Sequence, residues 1–120
     1  MVVDDEPEIA QGLTAMLSAI TDHQIESFTD PCLALGAFQE NRYHLVLTDL
    51  RMPKIEGFEL LKKIKDVEPD TEVIIMTAVK DQDTIDSSLE LGATEIFFKP
   101  INLFGIEEAV YKSHAKFMAE

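Results

Sequence analysis

Short apolar runs alternate with amphipathic stretches along the whole chain. In the amphipathic stretches the apolar residues recur every three or four positions, which indicates helices packed by one face. The apolar runs are short and unbroken, which indicates strands buried on both sides. Strands are predicted at 1–3, 23–28, 44–49, 72–78 and 95–99. Helices are predicted at 7–20, 31–38, 58–67, 81–91 and 102–117.

Local signals for helix ends agree with these boundaries. Asp30 and Pro31 have the residue types of an N-cap followed by a first helical position. Asp81 and Asn102 are candidate caps for the two later helices, and Gly92 is a candidate stop for the helix that follows Asp81. Hydrophobic periodicity and helix-end signals therefore support the same assignment of strands and helices.

Regular alternation of strands and helices predicts the α/β class. Unbroken apolar strands imply a parallel sheet with helices on both faces, joined by right-handed crossovers. In such a doubly wound sheet, ligands bind at the carboxyl edge, where the strand order reverses.

Composition limits the functions that are open to the chain. Its 120 residues suit a single domain over 1–120. With 23 acidic and 10 basic residues the formal net charge is −13, which argues against direct binding of nucleic acid or an anionic membrane. Cys32 is the single cysteine, so an intrachain disulfide and a cysteine-based zinc site are excluded. Without a spanning apolar run or a signal-peptide pattern, a cytoplasmic location is expected.

Polar residues stand at four of the predicted strand ends: Asp4 and Asp5, Asp49, Thr77, and Lys99. Each one alone has an ordinary structural explanation. Together they put three carboxylates in one cleft, and two like charges about 5 Å apart cost about 3 kcal/mol at an effective dielectric near 20. A hard divalent cation such as Mg²⁺ offsets that repulsion through oxygen ligands. A carboxylate beside such a cation can attack phosphorus and form an acyl phosphate.

Four segments at these strand ends resemble the receiver domain of two-component response regulators. They match the family in order, and the resemblance covers essentially the whole chain. It implies a flavodoxin-like, doubly wound (βα)5 fold in three layers, with a parallel five-stranded sheet of order 2-1-3-4-5. The segments are "VVDDEP", "LVLTDLRMPKIEGFELL", "VIIMTA" and "IFFKPIN".

The resemblance also implies a role for each site residue. Asp49 would be the phosphoacceptor and a ligand of Mg²⁺ or Mn²⁺. Asp5 would bind the metal directly, and Asp4 would hold a metal-bound water. The backbone carbonyl of Arg51 would be a further metal ligand. Lys99 would pair with the phosphoryl group.

Further expectations follow from the same resemblance. Thr77 would move to hydrogen-bond the phosphoryl oxygen, the Lys99–Pro100 bond would be cis, and Pro53 and Gly57 would shape the turn after the phosphoacceptor. The phosphoryl donor would be a sensor histidine kinase or a phosphotransfer protein. An output domain or a homodimer partner would contact the face formed by residues 80–110.

Several features depart from the family pattern or leave a choice open. Position 96, where the family often has Tyr or Phe, is Ile96. The first strand is short and the chain stops at Glu120 without an output domain, which favours a piece of a longer regulator. Phe104 has two equal interpretations, an exposed interface aromatic or a side chain packed on the rim of the sheet.

Three other functions are alternatives to the phosphorylated switch. Haloacid-dehalogenase-like hydrolases need a second acid two residues after the nucleophile, and this position is Arg51. A flavin carrier needs a Ser/Thr/Gly-rich phosphate loop after the first strand, where "DDEPEIA" would repel a phosphate. A degenerate receiver that acts as an unphosphorylated interaction domain remains the alternative, although the acid, threonine and lysine set is complete.

Overall fold

The computed structural model describes residues 1–20, 24–41, 43–50, 57–78 and 81–119. Within this part of the chain, strands and helices alternate as the sequence predicts. The strands are β1 (Val2–Val3), β2 (Ser27–Phe28), β3 (Leu45–Asp49), β4 (Glu72–Thr77) and β5 (Glu95–Phe98). The helices are α1 (Pro7–Ile20), α2 (Pro31–Glu40), α3 (Gly57–Val67), α4 (Gln82–Glu90) and α5 (Leu103–Ala119). None of the described helices is both long enough and apolar enough to span a bilayer.

The five strands form one parallel sheet in the order β2-β1-β3-β4-β5, which confirms the predicted fold class. The strand order reverses between β1 and β3, so the cleft expected in a doubly wound sheet lies beyond their carboxyl ends. Asp49 is in register with Met76, and Thr77 with Phe98. The polar ends of β1, β3, β4 and β5 therefore share one edge.

The central strand β4 contributes side chains to two separate cores, one on each face of the sheet. Val73 and Ile75 of β4 point to the face covered by α2 and α3, where Leu61 is fully buried. Ile74 and Met76 point to the opposite face, covered by α1 and α5. Since both sides of β4 are buried, its sequence has no polar alternation, which explains the unbroken apolar runs.

The first two strands are shorter than the sequence pattern indicates. The pattern predicts a strand over 23–28, but among the described residues only Ser27 and Phe28 belong to β2, where Ser27 pairs with Val2 and Phe28 with Val3 of β1. The strand does not include Gln24, Ile25 and Glu26. Its partner β1 is only two residues long, so the ladder between β1 and β2 has two residue pairs.

The predicted helix caps are confirmed. Oδ1 of Asp30 accepts a hydrogen bond from the Cys32 amide at 2.8 Å, and Oδ1 of Asp81 accepts one from the Thr84 amide at 2.7 Å. Gly92 follows α4 with a φ of 102°, a left-handed conformation that glycine adopts without steric cost. These caps fix where α2 begins and where α4 begins and ends.

Asn102 caps α5 in the same way. Its Oδ1 accepts hydrogen bonds from the amides of Phe104 at 3.0 Å and Gly105 at 3.4 Å. Gly57, predicted to shape the turn after the phosphoacceptor, is the first residue of α3. Arg51 and Pro53 lie outside the described residues.

Leu61→Ala should lower the free energy of unfolding by about 3 kcal/mol, because it removes a fully buried side chain and leaves a cavity under α3. Leu33→Ala, on α2, is the matched control, since Leu33 is 65% exposed and its loss should change stability by less than about 0.5 kcal/mol. Urea denaturation of both variants measures the difference. Equal losses would show that α3 does not cover the sheet in this way.

Candidate functional site

Three aspartates converge at the carboxyl edge of the sheet. Asp4 and Asp5 follow β1, Asp49 ends β3, and one carboxylate oxygen from each lies within 4.8 Å of the others. Asp4 is fully buried and Asp49 is 6% exposed, whereas Asp5 is more open to solvent. The convergence that the strand-end pattern predicts is therefore present, with two carboxylates inside and one at the mouth.

The Lys99 ammonium joins the two buried carboxylates. Its Nζ donates a hydrogen bond to Asp49 Oδ2 at 2.9 Å and another to Asp4 Oδ2 at 3.1 Å. Glu6 Oε1 lies 3.8 Å from the same ammonium, on the exposed side of the cluster. The Lys99 side chain is only 15% exposed, so it contacts these carboxylates with little competition from water.

Backbone contacts hold the charged groups in place. The Asp4 amide donates to the Phe28 carbonyl at 3.1 Å, and Asp4 Oδ1 accepts from the Glu6 amide at 3.0 Å. The Lys99 amide donates to the Thr77 carbonyl at 2.8 Å, which extends the ladder of β4 and β5 by one residue. The Lys99–Pro100 peptide bond is cis, as the resemblance to receiver domains implies.

Burial and pairing oppose one another in this cluster. Burial raises the pKa of the Asp4 carboxyl, and the negative charge of Asp49 adds to the rise, although the Glu6 amide and Lys99 act against it. Burial alone would lower the pKa of Lys99, but its hydrogen bonds to Asp49 and Asp4 outweigh that effect, so the pKa is raised. Lys99 therefore stays protonated at neutral pH, among carboxylates that outnumber it.

Thr77 reaches the same edge at the end of β4. It is 1% exposed, and its neighbour in the ladder is Phe98. Ile96, two residues before Phe98, is half-buried and packs against the core on the α2 and α3 side. The structure thus brings together Asp4, Asp5, Asp49, Thr77 and Lys99, the five predicted site residues that it describes.

Sequence reasoning missed one neighbour of the site. Glu6 approaches Lys99, and its position directly after Asp4 and Asp5 in "DDEP" is the available signal. This contact depends on how far a side chain reaches, which the strand-end pattern does not include.

The donor set fits a hard divalent cation. Three carboxylates offer oxygen ligands within 4.8 Å of one another, and among the described residues one ammonium, that of Lys99, pairs with them. Mg²⁺ is usually bound through one or two carboxylates, several waters and a phosphate oxygen. The arrangement therefore suits Mg²⁺ together with a phosphoryl group.

Comparison with known proteins decides the family. The family model described as the response regulator receiver domain matches residues 1–111. The chain belongs to this family. Receiver domains are the switch domains of two-component systems, signal through phosphorylation and bind Mg²⁺ at an acidic pocket.

Individual relatives are similar over most of the chain. Sporulation initiation phosphotransferase F of Bacillus subtilis (strain 168) is 34% identical over 115 residues, which are 93% of this chain and 90% of that protein. Transcriptional regulatory protein ZraR of Klebsiella oxytoca is 34% identical over 102 residues, 85% of this chain but 23% of that protein. The BeF3-activated DrrB receiver domain has a TM-score of 0.87 at 26% identity, covering 95% of this chain and 94% of the other.

Lys99→Ala should lower the free energy of unfolding by about 3 kcal/mol at pH 8, because Asp4 and Asp49 then lose their buried counter-charge. The loss should shrink toward pH 5. Lys99 lowers the pKa of the Asp4 carboxyl, so its removal raises that already raised pKa further. The folded variant then takes up a proton before the unfolded chain does and regains stability as the pH falls. Urea titrations at several pH values measure both effects.

Lys62→Ala is the control for this variant. Lys62 pairs with Asp66 on the surface of α3, and its side chain is 66% exposed, so its loss should cost less than about 0.5 kcal/mol at any of these pH values. If Lys99→Ala were as mild as Lys62→Ala, the ammonium would not be the group that holds the buried carboxylates together.

Proposed function

We propose that the chain is a phosphorylation-activated switch that accepts a phosphoryl group on Asp49 with Mg²⁺ bound beside it. The donor is a sensor histidine kinase or a phosphotransfer protein, and the setting is cytoplasmic. The observation that supports this most directly is the position of Asp49, which ends β3 with its carboxylate 2.9 Å from the Lys99 ammonium and within 4.8 Å of two further aspartates.

In the proposed reaction a carboxylate oxygen of Asp49 attacks the phosphorus of a phosphohistidine. The new oxygen–phosphorus bond forms as the phosphorus–nitrogen bond breaks, and the histidine nitrogen keeps the electron pair of the broken bond. Lys99 neutralises the charge that develops on the phosphoryl oxygens, from a position fixed before the reaction. Asp5, Asp49 and the Arg51 carbonyl would bind Mg²⁺ directly, Asp4 would hold a metal-bound water, and the cation would supply additional charge neutralisation.

Phosphorylation changes which partners Lys99 and Thr77 have. In the unphosphorylated protein Lys99 contacts Asp49 directly. In the phosphorylated protein it pairs with the phosphoryl oxygens instead. Thr77, at the neighbouring strand end, donates its hydroxyl to the same group. These contacts exist only in the modified protein, and only such differential contacts shift a conformational equilibrium.

Helix α4 is the element best placed to respond. It follows Thr77 in the chain, and Ser88 is its one fully buried residue among those described. Ser88 is small and gives its hydroxyl to the Thr84 carbonyl within the helix, while Leu89 is 50% exposed. A helix with so little buried apolar area belongs to the low-stability part of a fold, where local rearrangement costs least.

Ile96 limits the form of this rearrangement. It is half-buried against the α2 and α3 core, and its β-branched side chain is stiff at χ1. A swing of this residue would transfer far less surface than a swing of the Tyr or Phe that the family often has there. We therefore assign the response to the segment from Thr77 through α4 rather than to Ile96.

Asp49 should gain one phosphoryl group when the protein is incubated with acetyl phosphate and Mg²⁺, measured by intact-protein mass and located by peptide mapping. Asp49→Ala should remain unlabelled, and Asp5→Asn should need more Mg²⁺, because it loses a metal ligand while Asp4 and Asp49 keep their contacts with Lys99. Asp70→Ala, an exposed position in the loop before β4, is the matched control and should label normally. Absence of labelling in the wild type would favour the degenerate receiver.

Phosphorylation should change hydrogen-exchange protection in residues 81–92 and leave α1 unchanged. Thr77→Ala should still accept phosphate on Asp49 but lose the change in protection, since the hydroxyl contact that couples the site to α4 is gone. Ile96→Ala should keep most of the change. Hydrogen exchange of each labelled variant, against its unlabelled form, makes the comparison. If Ile96→Ala abolishes the response as fully as Thr77→Ala does, Ile96 is a switch residue and the assignment to Thr77 alone is wrong.

A further inference from the structure

Glu6 is a charged residue beside the three aspartates to which the proposed reaction gives no role. Its backbone is fixed on both sides. The Glu6 amide donates to Asp4 Oδ1 at 3.0 Å, and the Glu6 carbonyl accepts from the amides of Ile9 and Ala10, each at 3.1 Å. Glu6 therefore joins the end of β1 to the first turn of α1. The origin of its side chain is held in place, although the side chain itself is 62% exposed.

The Glu6 carboxylate acts on Lys99 through charge and not through a hydrogen bond. Its Oε1 lies 3.8 Å from Lys99 Nζ, whereas Asp49 Oδ2 and Asp4 Oδ2 accept hydrogen bonds from the same ammonium at 2.9 Å and 3.1 Å. An ammonium has three N–H donors, so these two hydrogen bonds leave a third donor for another partner. In the unphosphorylated protein Glu6 is thus the outermost of three carboxylates around one cation.

Glu6 stands on the side from which a phosphoryl donor arrives. Asp4 is fully buried and closes the inner side of the ammonium, so a donor reaches Asp49 and Lys99 from the solvent side. The exposed Glu6 carboxylate lies on that side. The group of carboxylates that could share a cation consists of Asp4, Asp5 and Asp49 among the described residues, and it does not include Glu6. The Glu6 charge therefore meets an incoming donor outside the candidate metal site.

The proposed phosphorylation sets Glu6 against the group that enters. A phosphoryl group carries about two negative charges, and its oxygens would pair with the Lys99 ammonium that Glu6 also approaches. Two anions beside one cation repel each other, so the Glu6 carboxylate disfavours the phosphoryl group at this position. Because Glu6 is largely exposed, water and salt screen the repulsion, and an effect of a few-fold is expected.

We propose that Glu6 competes with anionic phosphoryl groups for the Lys99 ammonium and thereby lowers the affinity of the site for an anionic phosphoryl donor. This role rests on the proposed function of Asp49 as the phosphoacceptor. Glu6 determines which donors bind and takes no part in making or breaking bonds. Its loss should therefore change the donor concentration that gives half-maximal rate, and not the maximal rate itself.

The first measurement is the rate of labelling of Asp49 at a series of acetyl phosphate concentrations with saturating Mg²⁺. Glu6→Gln should lower the KM for acetyl phosphate about threefold and leave kcat within about twofold of the wild type. The difference in KM should shrink at high salt, because the charge is exposed. Glu6→Asp keeps the charge and should stay closer to the wild type than Glu6→Gln does.

Glu8→Gln is the matched control. It removes the same charge from an exposed position in the first turn of α1, two residues from Glu6, and should leave the KM for acetyl phosphate unchanged. Urea denaturation should show that Glu6→Gln and Glu8→Gln are as stable as the wild type within about 0.5 kcal/mol, since both side chains are exposed.

A second measurement requires no phosphoryl transfer. The affinity of the unphosphorylated, Mg²⁺-bound protein for inorganic phosphate is followed by phosphorus NMR, and Glu6→Gln should bind phosphate about threefold more tightly than the wild type or Glu8→Gln. If Glu6→Gln binds phosphate no more tightly than Glu8→Gln, the proposal is overturned, whether or not Asp49 is labelled. A change in kcat with an unchanged KM would also overturn it. If the tighter binding is present but the wild type accepts no phosphoryl group, the proposed role of Asp49 fails and the competition for Lys99 stands.

Discussion

The Lys99 ammonium, placed between two buried carboxylates, is the interaction on which the site depends. It reaches Asp49 across 50 positions of sequence and Asp4 across 95, and so it ties the ends of β1 and β3 to the end of β5. A buried carboxylate without a counter-charge is strongly unfavourable. Lys99 makes the burial of two of them tolerable, and its own placement depends on the ladder between β4 and β5 that continues through its amide.

The arrangement of the core explains why this charge is confined to one edge. Residues of β4 alternate between two apolar clusters, one under α2 and α3 and the other under α1 and α5. An unpaired charge within either apolar cluster would be strongly unfavourable, and the chain places its acids where the strands leave the sheet. The stability lost to charge crowding is thereby kept apart from the packing that holds the helices, and a variant such as Leu61→Ala probes one without the other.

Much of this could be predicted from sequence, because the relevant rules concern the backbone. Unbroken apolar strands imply a parallel sheet, a parallel sheet aligns its carboxyl ends, and Asp4, Asp49 and Lys99 stand at three of those ends. The pairing within the cluster could not be predicted, since it depends on which carboxylates are buried and how far each side chain reaches. Likewise the short β2 follows from a two-rung ladder with β1, and the local apolar pattern of 23–28 contains no information about that partner.

Phosphorylation would replace the single negative charge of the Asp49 carboxylate by an acyl phosphate with about two, so that about one further negative charge lies next to Asp4, Asp5 and the Lys99 ammonium. Lys99 has a fixed position and already makes two short contacts, so it can redirect its hydrogen bonds but cannot add a second positive charge. The additional charge therefore has to be offset by a bound cation and by donors such as the Thr77 hydroxyl. Thr77 leads into α4, whose one described fully buried residue is a serine. The added negative charge thus acts beside α4, a helix that is held by little apolar packing. This is the physical basis for expecting the conformational response to phosphorylation in α4.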